Sequence, residues 1–337
     1  MEKKEHTGLS INHIMRYTAL AFICFLVFSC RQDSPALEVI EKKEPVTIPS
    51  TNADSLYSFV NEQVGFGHRY PSASGHAKIR EWIKLKMTGY GATVTEQPFK
   101  VSFYDVKDAD AFNIIASINP KHNKRILLAA HYDSRIVAEK DPDKSKENDP
   151  ILGADDGASG VSVLIEIARV VQQNPIDLGI DFIFFDAEDN GKPQSNNTWC
   201  LGSQYWSKNP HKRDYKATFG ILFDMVGAKG ASFPKEGVSQ RYAKKYQDKI
   251  WTLAQRMGYG DYFIDQQIDG LVDDHLHVNQ KAGIPMLDII NYDIASNGFA
   301  SYHHTHNDNL SIIDKRTLRV VTQVALATLY KTSDLTL

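Results

Sequence analysis

The residues able to do chemistry in this chain are carboxylates and histidines, gathered at a few points along it. Asp186, Glu188 and Asp189 fall within four residues at the end of the apolar run Phe182-Ile-Phe-Phe185. Carboxylates packed that closely repel one another unless a cation or a proton compensates them; a solvated acidic corner is the alternative reading. Asp155 and Asp156 stand just before a helical pattern, where the positive end of the helix already favours a carboxylate, so simple capping competes with a site there. Asp224 closes the apolar run 218–223, and Asp273-Asp274-His275 lies in a loop further on. Oxygen donors and imidazole nitrogens together suit zinc, which leaves a coordination position open in catalytic sites. A carboxylate of raised pKa beside such an ion suits proton transfer. No His-Glu-x-x-His is present, which excludes the helix-borne metallopeptidase motif. Among the histidines, His131 ends an apolar strand and is a credible ligand, whereas His275 and His277 read equally well as packing residues. The loop His303-His-Thr-His306 has little use in a core, so at least one of its histidines is functional; spacing does not say which.

Elements that position these groups follow from hydrophobic period. Strand patterns cover 92–103, 111–118, 125–130, 181–185, 218–223 and 284–290, alternating with helical patterns that include 161–171, 239–257 and the terminal stretch bearing Leu318, Val321, Val324, Ala325 and Leu329. That alternation predicts an α/β fold with a sheet mostly parallel at its centre. Three of the strands end at His131/Asp133, at Asp186/Glu188/Asp189 and at Asp224. Open α/β sheets bind ligands outside the carboxyl ends of their strands. In the helix after Asp155-Asp156, Ser162, Glu166, Arg169 and Gln173 form one narrow polar stripe, so the helix is expected to be largely buried. Residues 137–150 carry eight charged side chains and read as a solvated flap. No repeat and no composition shift divides 54–337, which is expected to be a single domain.

With 42% hydrophobic and 23% charged residues the chain is globular, and a formal charge of −3 gives no electrostatic case for nucleic acid. Lys3, Lys4 and Arg16 precede a short apolar run, Thr18–Phe28, with the proportions of a signal peptide. The run ends Leu26-Val-Phe-Ser-Cys30, which resembles a bacterial lipoprotein cleavage box. The expected plan is a signal peptide over 1–29, a lipid-bearing Cys30 with a linker over 30–53, and a folded domain over 54–337. The protein is then exported, held in the bacterial periplasm or at the outer membrane by its lipid. Cys200 is the one cysteine left in the folded part, so no internal disulfide is expected.

Taken in order, His131-Tyr-Asp-Ser134, Ala154-Asp-Asp-Gly-Ala-Ser-Gly160, Phe184-Phe-Asp-Ala-Glu-Asp189, Phe223-Asp-Met-Val-Gly-Ala228 and His303-His-Thr305 resemble the zinc-dependent peptidase family M28 over about residues 55–335. Asn113–Pro120, Asp273-Asp-His275 and Gly283-Ile-Pro285 make it most similar to the glutaminyl cyclase branch. The resemblance implies a twisted, mixed, mostly parallel central sheet flanked by helices, as in zinc aminopeptidases of the phosphorylase/hydrolase-like fold. It implies one zinc held by Asp155, Asp189 and His304, with Glu188 as general acid/base and Asp224 and Asp273 as a hydrogen-bonded carboxylate network beside it. Trp199, Leu271 and His303 are the candidate pocket wall. The implied substrates are peptides and proteins with an N-terminal glutamine, cyclised to pyroglutamate with loss of ammonia by a monomeric enzyme.

Three features depart from that branch. Asp189 stands where many relatives have Glu, His303 where animal cyclases have a tryptophan, and Asp155-Asp156-Gly-Ala-Ser-Gly is the aminopeptidase form. The alternative is an aminopeptidase with two zinc ions, reading His131, Asp155, Asp189, Asp224 and His304 as ligands.

Overall fold

A computed structural model describes residues 46–337. The expected signal peptide (1–29), the lipidated Cys30 and the linker as far as residue 45 lie outside the described residues. Residues 46–52 pack onto the fold: Glu166 accepts hydrogen bonds from Thr51 Oγ1 and Asn52 N at 3.2 and 2.7 Å, so the ordered unit begins before residue 54. Among the described residues no helix is long and apolar enough to cross a membrane.

Among the described residues eight strands form, β1 (Thr93–Phe103), β2 (Val106–Ile118), β3 (Arg125–His131), β4 (Gly179–Phe185), β5 (Phe219–Asp224), β6 (Phe233–Lys235), β7 (Phe263–Gln267) and β8 (Met286–Ile290). The helices are α1 (Ala53–Gly65), α2 (Ser74–Gly89), α3 (Ala158–Gln173), α4 (Leu201–Lys208), α5 (Gly237–Tyr242), α6 (Lys244–Arg256), α7 (Asp274–His277) and α8 (Lys315–Ser333). The main sheet has the order β1-β2-β4-β3-β5-β8. β4, β3, β5 and β8 run parallel, and the β1–β2 hairpin adds to β4 antiparallel. This is the mixed, mostly parallel sheet the sequence predicts.

The apolar runs are continuous because helices cover both faces of the sheet. Side chains alternate along each strand, and the core divides accordingly. Ile126, Leu128, Ala130, Phe182 and Phe184 pack with α1, α3 and α8, while Leu127, Ala129, Ile183 and Phe185 pack with Trp206 of α4 and Val278. Asp181 is one exception, a carboxylate buried in β4. It is saturated by Arg125 Nε and Nη2 at 2.5 and 2.6 Å, Ser117 Oγ at 2.5 Å and Tyr215 Oη at 2.7 Å. Burial raises its pKa, but these donors outweigh that and hold it low. Replacing Asp181 by Ala should strand the Arg125 guanidinium and cost about 3–5 kcal/mol, as breaking one side of a buried pair does; the midpoint of urea unfolding measures it.

Two elements differ from the sequence reading. The helix expected over 239–257 is broken at Ala243 (φ −128°), which separates α5 from α6. The small parallel pair β6–β7 was not signalled by hydrophobic period, since only Phe263 of β7 is buried.

Candidate metal and catalytic centre

The carboxyl ends of β3, β4 and β5 lie side by side, with His131 in register with Phe185. Beyond β4 the chain turns sharply at Ala187, a non-glycine residue in the left-handed region (φ +53°). The carboxylate of Asp133, just past β3, holds that turn by accepting from Glu188 N (3.0 Å), Asp189 N (3.2 Å) and Asn190 Nδ2 (2.9 Å). The sequence reading assigned Asp133 no role; its signal was a position two residues after His131 at the end of the adjacent strand. Asp186 is sealed into the fold by His76 Nε2 (2.8 Å), Phe112 N (2.7 Å) and Ala187 N (2.9 Å), so its role is structural.

Asp156, Asp189 and His304 converge at one side of the crevice. His304 Nε2 lies 3.0 Å from Asp189 Oδ1 and 3.8 Å from Asp156 Oδ2. Asp189 Oδ2 is buried without a hydrogen-bond partner among the described residues. Two carboxylates and an imidazole, with one buried oxygen unpartnered, are a donor set that fits zinc.

Here the expectation of Asp155 is corrected. Its carboxylate accepts from Gly227 N (2.6 Å) and from Tyr302 Oη, and so points away from Asp189 and His304. The next residue, Asp156, faces the crevice instead. Both backbone N–H groups are fixed by Asp308, at 2.7 and 3.1 Å, and the loop before them is held by the buried Arg69, which donates to the carbonyls of Tyr132, Leu152 and Gly153. Burial raises Asp155 to about 6. Burial acts likewise on Asp156, but its hydrogen bond to His131 and the nearby imidazoles overcome it and hold this group low.

Residues 137–150 are only partly the solvated flap expected, because their first half grips the histidine loop. Glu139 takes His304 Nδ1 at 2.6 Å and is itself held by Arg135 at 2.6 and 2.9 Å. Asp141 accepts from His306 N and pairs with its Nδ1, at 2.9 and 2.8 Å. Burial works to raise Glu139, yet His304 and Arg135 bring it down to about 2. With Nδ1 engaged, His304 has Nε2 facing Asp156 and Asp189.

Glu188 occupies the opposite side. Cys200 Sγ donates to its Oε1 at 3.2 Å, and donor atoms of Glu188, Cys200 and Asp273 all lie within 4.8 Å of one another. Burial pushes Glu188 well above the usual carboxylate range, and the charges of Asp189, Asp273 and Asp274 add to the rise. Burial likewise lifts Asp224 to about 8, with Asp156 and Asp273 pressing on it by like charge. His131 Nε2 sits between Asp156 Oδ1 (3.0 Å) and Asp224 Oδ1 (3.2 Å). Asp273 is backed by His275 and Asp288, and His275 Nε2 bonds Glu236 at 2.9 Å. The crevice encloses about 370 Å³, and Trp199, Leu271 and His303 line it together with Glu188, Asp156 and Asp189. Of the site residues read from the sequence, all but Asp155 reach this crevice or its floor.

The sheet and its acidic crevice define an α/β fold of the zinc exopeptidase class. More narrowly, the chain belongs to Peptidase family M28, whose sequence profile matches residues 113–329. It is similar to the glutaminyl-peptide cyclotransferase of Gloydius blomhoffii, 25% identical over 282 residues that cover 74% of this chain and 73% of that protein. Among solved structures it resembles the glutaminyl cyclase of Bacteroides thetaiotaomicron, at 46% identity and TM-score 0.82 over 84% of this chain and 99% of that one. A Zn-dependent exopeptidase of Parabacteroides distasonis is similar at 45% identity and TM-score 0.82, with the same coverage.

Proposed function

We propose that this chain is a glutaminyl-peptide cyclotransferase, converting N-terminal glutamine to pyroglutamate with release of ammonia. The α-amine nitrogen attacks the side-chain carboxamide carbon, a ring C–N bond forms, the bond to the amide nitrogen breaks, and ammonia leaves. A zinc ion held by Asp156, Asp189 and His304 would supply Lewis acidity toward the carboxamide oxygen. Glu188, with its raised pKa, takes the proton from the attacking amine and returns it to the leaving nitrogen. Asp273 helps keep that pKa high, and Asp273 and Asp224 accept hydrogen bonds from the substrate amine. The apolar wall of Leu271 and Trp199 excludes water, which would otherwise compete for the carbonyl carbon.

The observation favouring this reading over a two-zinc aminopeptidase is the likeness to the glutaminyl cyclase of Bacteroides thetaiotaomicron, 46% identical over 84% of this chain. His131 Nε2 lies 3.0 Å from Asp156 and 3.2 Å from Asp224, a group with the donors for a second ion, so the metal count belongs to the test. One zinc per chain is the count this reading expects. The test runs ammonia release from a Gln-initiated dipeptide beside amine release from leucine amide, with a metal count. Ammonia release with one zinc per chain is expected; turnover of leucine amide alone, with two, would establish the aminopeptidase.

Replacing Glu139 by Gln should weaken zinc binding about 10–100-fold, the usual loss when the partner of a ligating histidine is removed. Competition with a chromophoric chelator reads this directly. Export and lipid anchoring at Cys30 complete the proposal, with the enzyme acting as a monomer; the mass of the mature N-terminal peptide tests the anchor.

A further inference from the structure

One wall of the crevice is a column of stacked rings. Phe299 lies 4.3 Å from His303, His303 3.6 Å from His304, and His304 5.9 Å from Trp199, between ring centres. An imidazole at 303 differs from a plain apolar wall in offering an acceptor, and that acceptor is used. Lys140 Nζ donates to His303 Nδ1 at 2.6 Å, and the same ammonium lies 5.5 Å from the Phe299 ring. The imidazole hydrogen is thereby placed on Nε2, which faces Asp156 Oδ2 at 3.9 Å.

Lys140 is also the one lysine or arginine lining the crevice; the other lining residues with a formal charge are Glu139, Asp156, Glu188, Asp189, Asp224 and Asp273. Its neighbour Glu139 does not neutralise it, since that carboxylate is taken by Arg135 and His304. Among the described residues no carboxylate oxygen lies within 4.0 Å of the Lys140 ammonium. An ammonium bound to one imidazole nitrogen has two further N–H donors. Lys140 is exposed along its length and its ammonium only part-buried against His303, so those donors are open to a ligand in the crevice.

We propose that Lys140, seated on His303, is a specificity-determining residue that binds an anionic side chain on the residue following the N-terminal glutamine. The inference rests on the cyclotransferase reading. With the glutamine occupying the acidic floor, the peptide must leave through the mouth, where the second residue passes the rim. An Asp or Glu there finds an unpaired cation with free donors, and a Lys or Arg meets like charge.

Initial rates of ammonia release from Gln-Glu, Gln-Ala and Gln-Lys peptides, all C-terminally amidated to remove a competing carboxylate, test this at low and high ionic strength. The wild-type kcat/KM should fall in that order, Gln-Glu exceeding Gln-Ala by about fivefold, the scale of one half-exposed charge pair. The difference should reside in KM and shrink in high salt. Lys140→Met should level the series, and Lys140→Glu should reverse it. Equal kcat/KM across the three peptides in the wild type, or an unchanged order in Lys140→Glu, would overturn the assignment while leaving the cyclotransferase reading intact. Failure to cyclise any of the three, with cleavage of leucine amide, would overturn both.

Discussion

Replacing Glu188 by Gln is expected to lower kcat for cyclisation about 10³-fold, within the roughly 10²–10⁴-fold range that positioned acid–base groups supply. The zinc content and the thermal midpoint should stay near those of the wild type. The amide has the size of the carboxyl group, and the turn that carries it is fixed by main-chain bonds to Asp133, which the substitution does not touch. A buried carboxyl crowded by Asp189, Asp273 and Asp274 stabilises nothing by being ionisable, so removing its proton chemistry costs the fold little. An effect on kcat with KM nearly unchanged marks an interaction made in the transition state. Ammonia release and metal analysis on the same preparation decide the matter: near-normal turnover removes Glu188 from the role of base.

The second large effect separates two neighbours. Asp156→Asn should lose zinc by more than the roughly 10–100-fold that follows removal of an outer partner, and activity with it. The substitution removes an oxygen from the proposed ligand set and takes away the anion that His131, His303 and His304 face. Asp155→Asn should keep its zinc. It disturbs the bonds from Tyr302 and Gly227 and should cost about 1–3 kcal/mol of stability, the scale of an unsatisfied buried polar group. Metal titration and thermal unfolding of both variants give a crossed pattern. The reverse pattern would restore Asp155 as the ligand.

That crossed test falls where sequence reasoning failed, and the reason is geometric. Asp155 and Asp156 share one motif, one residue type and one helix start. What tells them apart is the direction of each side chain, set by Asp308 and Arg69, residues far from them in sequence. The strands, by contrast, were legible because apolar runs buried on both faces have no other use. The end of such a run locates the crevice without further information, as His131, Glu188 and Asp224 attest. Glu139 and Lys140 were missed for the opposite reason: among eight charged side chains nothing marks these two as the ones that reach the histidine loop. Asp133 was hidden similarly, since a carboxylate that accepts main-chain N–H groups looks in sequence like any other aspartate.

The grip of Glu139, Lys140 and Asp141 on the loop at His303–His306 joins segments about 165 residues apart. A chain made from its N-terminus presents Asp156 and Asp189 long before His304 exists. The site therefore closes only once the chain has been made as far as His304, and no shorter product can hold the ion with its full ligand set. Because the native state alone offers that set, bound metal adds to stability by mass action, about 2.7 kcal/mol at a hundredfold excess over its dissociation constant. Metal occupancy thus serves as a timestamp on the molecule, recording that the histidine loop has come home.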